Sequence, residues 1–103
     1  VARYLRQQRG YPLAVTSRAA LGRDGFHQAT DIIGVPGVAI EVKSVRGLSI
    51  GAALLQCERQ ATAGKVPVVV AKPVGVGYES VDRWFAMMWM EHMVSLWPKG
   101  VEL

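Results

Sequence analysis

The run Val66-Pro67-Val68-Val69-Val70-Ala71 narrows the architecture most, because an unbroken apolar stretch of this length suits a strand covered on both faces. Such a strand needs a layer above and a layer below. Three segments have the pattern to supply them. Residues 1–9, VARYLRQQR, place Val1, Tyr4 and Leu5 on one face and close at Gly10. Residues 50–63 carry Leu54, Cys57 and Ala61 as an apolar stripe, with Ser49 as N-cap and Gly64 as a stop signal. A short helix is expected over 90–97, ended by Pro98.

The remaining segments supply the rest of a sheet. Pro12 opens an extended piece, PLAVTS. Residues 19–28 contain two glycines and no steady period, which makes them a loop and a candidate functional one. Aliphatic and β-branched residues at 29–34 and 38–44 flank Val35-Pro36-Gly37, strong turn chemistry, so the two runs form a hairpin. The C-terminal stretch reads as a strand over 82–88, antiparallel to 66–71, followed by the helix. The expectation is a single α/β domain over 1–103, with a mixed central sheet flanked by helices.

Composition agrees. Of 103 residues, 50% are hydrophobic and 19% charged, as in a globular chain. No apolar run approaches the roughly 20 residues that span a bilayer, and no signal-peptide layout is seen, so a soluble cytoplasmic protein is expected. The single Cys57 excludes an intrachain disulfide and a multi-cysteine zinc site, and is read as an apolar filler. Net charge is +4. The first half is the basic one: Arg3, Arg6, Arg9, Arg18, Arg23, Lys43 and Arg46 face only Asp24, Asp31 and Glu41. That imbalance favours a polyanion, nucleic acid being the commonest.

The hairpin also carries charge where its neighbours are apolar. Residues i and i+2 of a strand share a face, so Glu41 and Lys43 lie together while Ile40 and Val42 point into a core. The place of Asp31 depends on the turn. A three-residue loop with Gly37 in the left-handed conformation sets Asp31 opposite Glu41; a two-residue loop at Pro36-Gly37 sets it opposite Val42, on the wrong face. Two facing carboxylates repel unless a cation lies between them, and hard oxygen ligands call for Mg²⁺ or Mn²⁺. The Val42 carbonyl is a further candidate ligand. Lys43 would then stand where it can stabilise charge growing on an attacked phosphate.

Asp31, followed after nine intervening residues by Glu41-Val42-Lys43-Ser44, resembles the D…(D/E)xK signature of the PD-(D/E)xK nuclease superfamily. Within it, the order helix, strand, acidic loop, hairpin, glutamine-bearing helix and apolar strand resembles phage and archaeal Holliday-junction resolvases. The resemblance implies a restriction-endonuclease-like core and a Mg²⁺- or Mn²⁺-dependent endodeoxyribonuclease acting on branched DNA. It implies that Asp31 and Glu41 hold the metal, that Lys43 is the catalytic lysine, and that a glutamine of the following helix reaches the site. Gln56 and Gln60 are one turn apart, and Gln56 is favoured. The family's first-helix glutamate has no counterpart in residues 1–9; it is expected either before Val1 or, in its stead, at Asp24. Thr30 stands where the motif's name has proline. Arg18, Arg23 and Arg46 flank the site and are expected to contact phosphates, whereas His27 is read as a loop hydrogen-bonder. Resolving a two-fold junction implies a C2 homodimer. Its candidate interface is the apolar segment containing Phe85, Met87, Met88, Trp89, Met90, Met93 and Trp97. The alternative is a non-cleaving DNA-binding module or accessory subunit with the same fold.

Overall fold

The computed structural model describes residues 1–16, 18–19, 31–62 and 64–100. In chain order its elements are helix α1 (Ala2–Arg9) and strands β1 (Val15–Thr16), β2 (Ile32–Ile33) and β3 (Val38–Ser44). Helix α2 (Ile50–Gln60), strand β4 (Val66–Lys72), a 3-10 turn (Val81–Arg83), strand β5 (Phe85–Met87) and helix α3 (Met90–Leu96) follow. The sheet order is β1-β2-β3-β4-β5. β3 and β4 run parallel, and the other neighbours are antiparallel, so the sheet is mixed, as expected. No helix among the described residues is long and apolar enough to cross a membrane.

The parallel pair is the spine. Parallel neighbours require a crossover, which α2 provides. Pairing runs from Val38↔Val66 to Ser44↔Lys72, and the start of β4 is fixed by the Val66 N–H donating to the Gly37 carbonyl at 2.8 Å. Side chains of β3 alternate between two cores. On the α1 side Ile40 packs with Ala2, Ala14, Ile32 and Val35. On the α2 side Ala39 packs with Ala53, Leu54, Cys57 and Val69. Cys57 is a buried filler whose thiol donates to the Ala39 carbonyl at 3.4 Å.

The turn between β2 and β3 has the three-residue form. Gly37 takes φ +77°, open to glycine at little cost, and Ile32 pairs with Ile40. Gly34, at φ +85°, has a second reason: a Cβ there would lie 1.9 Å from the Leu13 carbonyl oxygen, so only glycine lets the β1 approach pack against the hairpin.

Several boundaries differ from the sequence pattern. Of the strand expected over 29–34, only Ile32 and Ile33 pair, with 29 and 30 outside the described residues. Ser49 does precede α2, but its hydroxyl makes no capping bond. Helix α2 ends at Gln60 rather than 63, before Gly64 can act as its stop: Ala61 is extended at ψ 139° and packs against the α2-side core, which starts the return to β4. The strand expected over 82–88 is only Phe85–Met87. Its first part is a 3-10 turn whose backbone bonds are local, Arg83 N–H to Ser80 O and Trp84 N–H to Val81 O. Helix α3 stops at Leu96, because Trp97 is extended ahead of Pro98.

Candidate functional site

The pair Ile32↔Ile40 sets Asp31 opposite Glu41, at the point where β2 stops and β3 continues. The Val42 N–H, which a longer β2 would have met with a backbone carbonyl, donates instead to Asp31 Oδ2 at 2.8 Å. Asp31 thus gives this backbone donor a side-chain acceptor. On a regular strand the N–H and C=O of one residue point to the same side, so the Val42 carbonyl also faces the Asp31 side.

Glu41 is the buried charged residue of the described chain, 4% exposed. Sharing a face with Ala39 puts it on the α2 side. Its Oε1 is buried without a hydrogen-bond partner. Burial first, and then the neighbouring Asp31 carboxylate, push the Glu41 carboxyl up from its ordinary 4.5 to about 7, an effect that Lys43 offsets only in part. A carboxylate in such a place is stabilised by a proton or by a cation.

Lys43 lies two residues along the same face, and its Nζ donates to Gln56 Oε1 of α2 at 3.3 Å. Gln60, one turn further on, has a buried Oε1 with no partner, so the structure brings Gln56 and not Gln60 to Lys43. Arg46 is exposed just beyond β3 and lines two hollows with Lys43. Arg18 lines a different hollow, of about 370 Å³, together with Asp31. Arg23, Asp24, His27 and Thr30 lie outside the described residues.

The donor set fits a hard dication. An orphaned buried Glu41 oxygen, the facing Asp31 carboxylate and the Val42 carbonyl are all oxygens, the donor type that would suit a hard ion such as Mg²⁺. Among the described residues no third His, Cys, Asp or Glu joins the pair.

Three further residues were not singled out by the sequence pattern. Lys72, Tyr78 and Trp84 form, with Lys43 and Arg46, a hollow of about 560 Å³. The one available signal was Lys72 closing an apolar strand, level with Ser44 across the parallel pair. A scan against protein-family models, a search of curated proteins and a search of solved structures each return no match.

Proposed function

We propose that this chain is a metal-dependent endodeoxyribonuclease with a restriction-endonuclease-like core, acting on branched DNA. The observation that carries the reading is the meeting of Asp31 with Glu41 at the end of β2, two residues from a lysine held by Gln56. Asp31, Glu41 and the Val42 carbonyl would hold Mg²⁺ or Mn²⁺. When bound, such an ion supplies Lewis acidity toward a phosphodiester and lowers the pKa of a coordinated water.

The chain's own groups have separate tasks. Asp31 is fixed by the Val42 N–H, so its carboxylate does not swing on binding. The Lys43 ammonium stabilises the extra negative charge on an attacked phosphate, and Gln56 acts as its positioning residue. Arg46, and Arg18 on the Asp31 side, approach neighbouring phosphates of the strand.

A homodimer belongs to the same proposal. Met90, Leu96 and Trp97 on and after α3, and Phe85 on β5, are more than half exposed, and a self-complementary contact would cover them. Met87 and Trp89 instead pack on the α2-side core.

The test is incubation with four-way, flapped and linear DNA in Mg²⁺, Mn²⁺ or chelator. Nicking that needs the divalent ion and favours the branched forms is the expected result. Salt-sensitive binding without cleavage in any ion would replace the enzyme with a DNA-binding module, and a monomer in light scattering would remove the dimer.

A further inference from the structure

The hollow beyond the C-terminal ends of β3 and β4 differs from the carboxylate pair in charge and chemistry. Its wall includes three cationic side chains, Lys43, Arg46 and Lys72, and two aromatic rings, Tyr78 and Trp84; among the described residues no Asp or Glu lines it. At about 560 Å³ it is within the ordinary size range of small-molecule sites. The crevice outside the carboxyl ends of parallel strands is also where α/β sheets bind ligands.

The rings are held, yet one is uncovered. The Trp84 Nε1–H donates to the Gly77 carbonyl at 3.1 Å, which ties the indole to the loop bearing Tyr78. Tyr78 meets Trp84 edge-on, with centroids 6.0 Å apart and planes at 67°. The Lys72 ammonium, anchored on the Val76 carbonyl at 2.7 Å, stands 5.4 Å from the centre of the Tyr78 ring. Despite three such restraints Tyr78 is 78% exposed. A fixed aromatic face left open beside cations is a preorganised stacking platform.

We propose that this cleft takes one unpaired nucleotide, its base stacked on Tyr78 and its phosphate among Lys43, Arg46 and Lys72. A base inside a duplex has both faces covered by its neighbours, so the platform selects a nucleotide that a branch, flap or single strand leaves free. The inference rests on the nuclease reading for its purpose, because Lys43 also lines the cleft and an unpaired nucleotide there would lie beside the phosphate under attack. Binding itself does not depend on that reading.

The experiment measures fluorescence anisotropy of labelled oligodeoxyuridine and oligouridine of about eight nucleotides, which differ only in the sugar, and of a stably paired duplex, in chelator so that nothing is cut. Wild type, Tyr78→Ala and Tyr78→Phe are compared, with urea midpoints as the check on folding. Tyr78→Ala should weaken single-strand binding about tenfold or more, Tyr78→Phe should match wild type, and duplex binding should change less than about twofold. Preference between the two oligonucleotides assigns the sugar of the natural strand. An unchanged single-strand affinity in Tyr78→Ala, an equal loss on duplex, or tighter Tyr78-dependent binding of polyglutamate would each overturn the proposal. Tyr78-dependent binding by a chain that cuts no DNA would keep the cleft and remove the nuclease; metal-dependent cutting with no Tyr78 dependence would do the reverse.

Discussion

The two flanks of β3 are built on different principles. Toward β4 the strand is paired along its whole length, from Val38 to Ser44, and meets the buried residues Val68, Val69 and Ala71. Toward β2, among the described residues, only Ile32↔Ile40 joins strand to strand, and a side chain, Asp31, takes the Val42 N–H. The first flank satisfies the backbone with backbone and excludes water. The second stops short, and the stop leaves room for charge. Carboxylates crowded at the margin of a core raise the free energy of the empty protein, and the same crowding favours any cation that enters. Continuous backbone pairing and crowded carboxylates are therefore adjacent on one strand and fall on its opposite edges.

The sharpest way to break this division is to remove the charge. Asp31→Asn or Glu41→Ala should lower cleavage by about 10³-fold or more, equivalent to several kcal/mol, with DNA binding equal or slightly tighter. Gel assays of cutting and anisotropy of binding would check it. Variants that cut normally would remove the metal site from this flank.

The pH dependence of stability should come from the same edge. Glu41 has a folded pKa near 7 against an ordinary 4.5, so the folded state binds its proton more tightly than the unfolded state. The contribution is complete below about pH 4.5, is lost as pH rises through about 7, and is flat above. The span is on the order of 3 kcal/mol. Urea unfolding of the metal-free chain should therefore show a falling midpoint across that window. Glu41→Gln should flatten the fall, and millimolar Mg²⁺ should restore stability at the alkaline end.

The opposite flank should respond in stability alone. Leu54→Ala, in the core of Ala39, Cys57 and Val69, should cost about 3 kcal/mol and leave turnover per folded molecule within about twofold. A large fall in turnover at full folding would show that the two edges are coupled through β3.

Lys43→Ala should lower turnover by about 10², and Lys43→Arg should rescue poorly, because a planar guanidinium does not replace a compact ammonium. Gln56→Ala should act through Lys43, lowering kcat by about tenfold with KM little changed. Its effect should vanish in the Lys43→Ala background, and single-turnover kinetics of the double mutant would measure that.

What the residues alone determined is mostly local. The turn chemistry of Val35-Pro36-Gly37 marks the hairpin, while the residues allow a two- or a three-residue loop, and it is the fold that takes the three-residue form carrying Asp31 opposite Glu41. Period two puts Glu41 and Lys43 on one face, and period 3.6 turns Leu54 and Cys57 inward. What needed the tertiary structure was every outcome that depends on distant segments meeting. Pattern offered 29–34 to β2, yet of the described residues 31–34 only Ile32 and Ile33 pair, and Asp31 meets the Val42 N–H with its side chain. Gln56 and Gln60 are equivalent on a helical wheel, and only the packing of α2 against β3 chose Gln56 for Lys43. The cleft with Tyr78 brings residues 43–46 to residues 72–84; chain spacing carries no record of that approach, which the parallel pairing of β3 with β4 creates.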